Sequence, residues 1–133
     1  MEFTTIPPLN QKISRIGLGT WAIGGWMWGG NDEQISIDTI RHAIHLGVNL
    51  IDTAPVYGFG LSEEIVGKAI KSFPRDEVVI ATKAGLRWKE GKVYRDNRKS
   101  SLEEEIDHIL KETIPNPQGT EFMASPQSKK ILT

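Results

Sequence analysis

The 133-residue chain carries 17 Asp plus Glu against 16 Lys plus Arg, a formal net charge of −1, so neither sign dominates and a mainly electrostatic nucleic-acid or membrane binder is disfavoured. The absence of cysteine excludes disulfide scaffolds, Cys-ligated zinc, iron–sulfur clusters and thiol nucleophiles. With 38% apolar residues and a mean hydropathy of −0.31, no stretch approaches the ~18 apolar residues of a membrane span, and the start MEFTTIPPLNQK has no apolar signal core, so one cytoplasmic globular domain is expected.

Residues 3–19 alternate short β-prone pieces with turn formers, and residues 15–19 (RIGLG) read as a short strand entering a glycine-rich loop that extends to Gly30. Asn31, with Gln34 three residues on, has capping-box spacing ahead of Ile37, Ile40 and Ile44 at helical intervals, and Gly47 supplies the stop. Residues 48–54 (VNLIDTA) form a continuous β-prone run that turns polar at Asp52 and breaks at Pro55 and Gly58, the pattern of a strand buried on both faces. A second helix is expected from Ser62, stapled by Leu61 and Val66, with Ile65, Val66, Ala69 and Ile70 as its apolar stripe and Pro74 as its end. A second buried-type strand, residues 78–83 (VVIATK), is apolar until its last residue, and a polar loop is expected from Gly85 to Lys99. Ser100 and Glu103 then form a capping box for a third helix with Leu102, Ile106, Ile109 and Leu110 on one face.

Strands alternating with amphipathic helices imply βαβ units and a parallel sheet, which leaves an open doubly wound sheet or a (β/α)8 barrel, the latter normally of about 250 residues. The final stretch breaks this rhythm. Residues 114–133 hold three prolines, scattered polar residues and no strand-like run, so residues 113–133 are expected to be a disordered tail on a folded segment spanning residues 1–112.

Residues 17–22 (GLGTWA) match G-x-G-x-x-A after a strand, the outline of a Rossmann pyrophosphate loop. More glycines follow at 24, 25, 29 and 30, where a true site would already be helical, and Asp38 has the distance of the ribose-binding acid but falls inside the first helix. An independent nucleotide-binding module is therefore the weaker alternative, beside a flexible or close-packed glycine loop.

Asp52 and Lys83 each end a buried-type strand, one βα unit apart, so parallel strands set them side by side on the rim where α/β proteins bind ligands. Tyr57 lies in the loop just beyond Asp52. A phenol is a weak acid at neutrality, and an adjacent ammonium stabilises the phenolate left by proton donation, while Asp52 would keep Lys83 charged and aimed. The competing reading is a buried Asp–Lys ion pair beside an unrelated tyrosine.

GLGTWAIGG, then NLIDTAPVYGFGLSEEIVGKAI, then VVIATKAG, in this order and spacing, resemble the N-terminal part of the aldo-keto reductases over about residues 12–112. The resemblance implies a partial (β/α)8 TIM barrel, its first three βα units with an N-terminal β segment, and reduction of aldehydes or ketones by hydride transfer from NADPH. It makes Asp52, Tyr57 and Lys83 three of the family's four catalytic residues, with Tyr57 the proton donor, and places Gly19, Thr20 and Trp21, with Asp52, beside the nicotinamide. The family's fourth catalytic residue is a histidine ending a fourth strand, whereas His42, His45 and His108 all fall in expected helices. The family's main contacts to the adenosine phosphate also come from later barrel loops. The chain is therefore expected to be inactive alone, and the alternative reading is a non-catalytic, truncated piece of such an enzyme.

Trp21, Trp26 and Trp28 crowd one glycine-rich loop, either as a substrate-pocket wall or as loop packing. Residues 87–99 carry six basic and two acidic residues with Trp88 and Tyr94 interleaved, read as a solvated connection before a nucleic-acid contact. Glu103, Glu104 and Glu105 are expected to be first-turn charges favoured by the helix dipole. The expected partner is a small carbonyl substrate, with no nucleic acid, membrane or metal, and open sheet edges favour self-association.

Overall fold

The computed structural model describes residues 1–7, 11–110 and 114. Two short strands, β1 (Phe3–Thr5) and β2 (Lys12–Ser14), pair antiparallel. A parallel sheet follows from β3 (Leu18–Gly19), β4 (Leu50–Asp52) and β5 (Val79–Ala81), in the order β3-β4-β5, with α1 (Glu33–His45) and α2 (Leu61–Ile70) as crossovers. A hairpin of β6 (Leu86–Lys89) and β7 (Lys92–Arg95) then leads into α3 (Lys99–His108). This is an open piece of a (β/α)8 barrel, with no closed barrel among the described residues.

Parallel register brings the strand ends level: Gly19 pairs with Asp52, and Asp52 with Ala81. Because side chains alternate along a strand, Ile51 and Ile80 turn together to the helical side, where Ile51 packs with Ile37 and Ile40 of α1 and Ile65, Val66 and Ala69 of α2. Leu50 and Val79, also paired, point the other way and stay partly exposed, so these strands are buried on one face rather than the expected two. Asn49 closes the lower end of the sheet: its side chain accepts from Ser14 N–H at 2.7 Å and donates to Lys12 O at 2.9 Å, tying β2 to β4.

Several local expectations shift. The cap of α1 is Asp32, whose Oδ1 accepts from Ile35 N–H at 2.9 Å, while Asn31 Oδ1 instead accepts from Ser36 Oγ. Ser62 caps nothing, since α2 begins at Leu61 after Gly60 and the Ser62 hydroxyl is taken by tertiary hydrogen bonds. The expected polar loop after Gly85 is the β6–β7 hairpin, turned at Glu90 and Gly91 with φ of +51° and +74°, a two-residue turn with the twist that antiparallel strands require. The Ser100 capping box does not form, because α3 starts at Lys99; Glu105 consequently sits in a later turn, buried, with Oε2 accepting from Gly85 N–H at 3.1 Å. Ile114, assigned from sequence to the tail, packs in the main core, and its N–H donates to Ile109 O at 2.8 Å. The rest of residues 113–133 lies outside the described residues. Among the described residues no helix is long and apolar enough to cross a membrane.

Candidate active site

Asp52 is the last residue of β4, and Lys83 lies two residues past the end of β5, so the sheet register carries both to one rim. Lys83 Nζ donates to both carboxylate oxygens of Asp52 at 2.9 Å and to Thr53 O at 3.0 Å. The same ammonium stands 5.2 Å from the centre of the Tyr57 ring. Partial burial opposes the charge on Lys83, but the Asp52 carboxylate and the neighbouring Tyr57 outweigh it and hold the lysine above its ordinary pKa. The pair is half exposed, 50% and 48% for the two side chains, and so differs from the buried ion pair considered from sequence.

The Tyr57 loop is held by close backbone approach. A Cβ on Gly24 would lie 2.5 Å from Tyr57 C, and one on Gly58 would lie 2.1 Å from Gly24 O, so the two glycines are what let the loops touch. This is the close-packed glycine loop weighed against the dinucleotide loop: residues 18 and 19 are strand, and Ala22–Gly24 is a single 3-10 turn. Trp21 leaves that loop to stack on Tyr57, ring centres 6.2 Å apart at 29°, and meets Trp28 edge-on at 5.5 Å. Trp26, Phe59 and Trp88 extend the aromatic run at 5.1 and 5.8 Å. The tryptophans thus line the rim and still present exposed surface, with Trp21 at 48% and Trp28 at 54%.

Beneath the rim lies a polar layer that sequence reading missed. Ser62 Oγ sits 2.8 Å from Thr20 Oγ1, 3.0 Å from Thr20 O and 3.1 Å from Thr53 Oγ1, and Thr20 Oγ1 donates to Asp52 O at 2.9 Å. Glu63 is buried beside it, accepting from Thr82 Oγ1 at 2.5 Å. Desolvation raises the Glu63 carboxyl above the usual range against the Thr82 bond and the nearby His108 and Lys83, with Glu105 adding to the rise. The one available signal was polar residues where a helical stripe should be apolar, at 62 and 63. His42 and His45 end α1 and His108 ends α3, so all three histidines are helical, as expected. A cavity of about 600 Å³ between α2 and α3 is lined by Phe59, Glu63, Arg87, Trp88, Glu105 and His108, without Asp52, Tyr57 or Lys83.

Comparison with known proteins bears on this geometry. The family model of the Aldo/keto reductase family matches residues 15–116. An aldo-keto reductase of Bacillus subtilis is 56% identical over 112 residues, covering 84% of this chain and 34% of that protein. The NADH-specific methylglyoxal reductase of Escherichia coli is 48% identical over 106 residues, covering 71% and 32%. Among solved structures, the glycerol dehydrogenase of Gluconobacter oxydans superposes with a TM-score of 0.73 at 49% identity, covering 82% of this chain and 35% of that one. The holo form of an aldo-keto reductase from Bacillus halodurans superposes with a TM-score of 0.72 at 30% identity. The chain spans about a third of the length of the curated relatives it matches.

Proposed function

The chain belongs to the aldo/keto reductase family, and from that premise we propose that it contributes the proton-donating corner of an NADP-dependent oxidoreductase that reduces small aldehydes or ketones. The observation that supports this reading is the convergence of Asp52, Lys83 and Tyr57 on one rim, with the ammonium 2.9 Å from both Asp52 oxygens and 5.2 Å from the phenol ring. Tyr57 gives its proton to the substrate carbonyl oxygen, Lys83 stabilises the phenolate left behind, and Asp52 keeps Lys83 charged and directed. Trp21, stacked on Tyr57 and half exposed, forms the apolar wall against which the substrate lies.

When bound, the nicotinamide supplies the hydride. Gly19, which ends its strand with nothing within 4 Å of where a Cβ would stand, and the half-exposed Asp52 carboxylate in register beside it support a place for that end of the cofactor, whereas the side chain of Thr20, 0% exposed with its hydroxyl donating to Asp52 O, offers it no contact. Preference for NADP over NAD belongs to the proposal, because the Escherichia coli relative is named as NADH-specific.

A second reading, a chain that binds but does not turn over, is favoured by the placement of all three histidines on helices, none at a strand end. The test is aldehyde-dependent oxidation of NADPH and NADH by the 133-residue chain, with Tyr57→Phe as control. Turnover abolished by Tyr57→Phe supports the first reading, and turnover untouched by it overturns that reading. Absent turnover with retained quenching of tryptophan fluorescence by NADPH supports the second.

A further inference from the structure

We infer that Ser62 and Glu63, neighbours in the first turn of α2, are positioning residues that hold Asp52, Tyr57 and Lys83 in mutual alignment. The inference rests on the reading of that trio as reductive machinery. Each member of the trio is reached from this dipeptide within one residue or one bond. Ser62 N–H donates to Tyr57 O at 3.2 Å, and Ser62 Oγ meets Thr53, the residue after Asp52, at 3.1 Å. Glu63 accepts from Thr82, the residue before Lys83, at 2.5 Å.

Proton counting gives the hydroxyls a direction. Thr20 Oγ1 spends its hydrogen on Asp52 O, so it can only accept from Ser62, whose one hydrogen is shared between Thr20 Oγ1 at 2.8 Å and Thr20 O at 3.0 Å, and Ser62 in turn accepts from Thr53. The result is a chain of donors from Thr53 through Ser62 and Thr20 to the backbone of Asp52, with all three hydroxyl residues 0% exposed and therefore shielded from competing water. Glu63, 2% exposed, is a costly residue to bury where an apolar one would serve for packing alone. Its carboxyl fixes the residue next to Lys83, and the lysine then spans to Asp52 and Thr53 O, closing a loop that returns to Ser62.

Competitive acetylation of the 133-residue chain, read by peptide mass spectrometry with exposed Lys71 as reference, reports how firmly Lys83 keeps its proton. If the dipeptide aligns the trio, Ser62→Ala and Glu63→Ala detach Lys83 from Asp52, and its labelling relative to Lys71 rises about three- to tenfold near pH ~9, since each unit lost from an amine pKa is about tenfold in free amine. Glu63→Gln, whose amide oxygen still accepts from Thr82, keeps the parent ratio, which separates alignment from direct charge effects. Thr82→Val, nearly isosteric, reproduces Glu63→Ala even if the latter fails to fold. An unchanged ratio in Ser62→Ala and Thr82→Val with native circular dichroism overturns the inference, as does Glu63→Gln behaving like Glu63→Ala. The labelling ratio does not depend on turnover, so loss of the reductase reading through Tyr57→Phe is a separate result.

Discussion

Lys83 binds both oxygens of Asp52, but with about half of each side chain in solvent the pair resembles a surface ion pair, worth ~0–1 kcal/mol. Lys83→Met should therefore leave the thermal midpoint nearly unchanged and, on the proposed reductase reading, lower any carbonyl reduction about a hundredfold or more, the range of a lost acid–base partner. Melting curves and initial rates on the same preparation check this; equal loss of both would make the pair structural. Glu63 and Glu105 are buried instead, and burial raises both carboxyls above their unfolded values. The stability they contribute is fully present below the ordinary carboxylate range and is lost as pH rises through their raised folded values. Urea unfolding from acid to neutral pH should show this decline, and Glu63→Gln should flatten it.

At the scale of elements, α2 does the most. Its apolar side, Ile65, Val66 and Ala69, joins the core, while Ser62 and Glu63 face the strand ends. The crossover before it depends on a different terminus: α1 is capped by Asp32, so Asp32→Ala should cost about 1 kcal/mol in urea unfolding. Asn31→Ala should cost less, since Asn31 binds only the Ser36 hydroxyl and no helical N–H. The loops between elements are set by contact. Gly58 has φ +66° and no room for a Cβ, so Gly58→Ala should destabilise by ~1–3 kcal/mol in urea unfolding and displace Tyr57.

At the scale of the whole molecule, the parallel sheet ends on β3 and β5 with no further strand paired to either among the described residues. Its second face carries Leu50 and Val79 partly exposed, and Ile16 is 65% exposed nearby in sequence. Free strand edges and uncovered apolar area favour pairing with further copies. Light scattering should therefore report a mass rising with concentration, and Val79→Lys should reduce the rise. A mass that stays monomeric at every concentration would show the edges to be protected.

Hydrophobic patterning together with turn and cap signals located the three helices and three parallel strands, because the helical spacing of Ile37, Ile40 and Ile44 and the continuous apolar runs at 48–54 and 78–83 are local properties. Asp52 and Lys83 at strand ends were legible for the same reason, and their pairing followed from parallel order. Caps were not legible to the residue, since Asn31 and Asp32, or Ser100 and Arg98, differ only in where neighbouring chain lets the helix begin. The β6–β7 hairpin was hidden by its polar strands, although Glu90–Gly91 carried the turn. The roles of Ser62, Glu63 and Glu105 were decided by tertiary structure alone. A serine or glutamate in a first turn has the chemistry of a cap or a solvated charge, and only the packing of α2 and α3 against Thr20, Thr53, Thr82 and Gly85 turned those polar atoms inward, where water no longer competes for them.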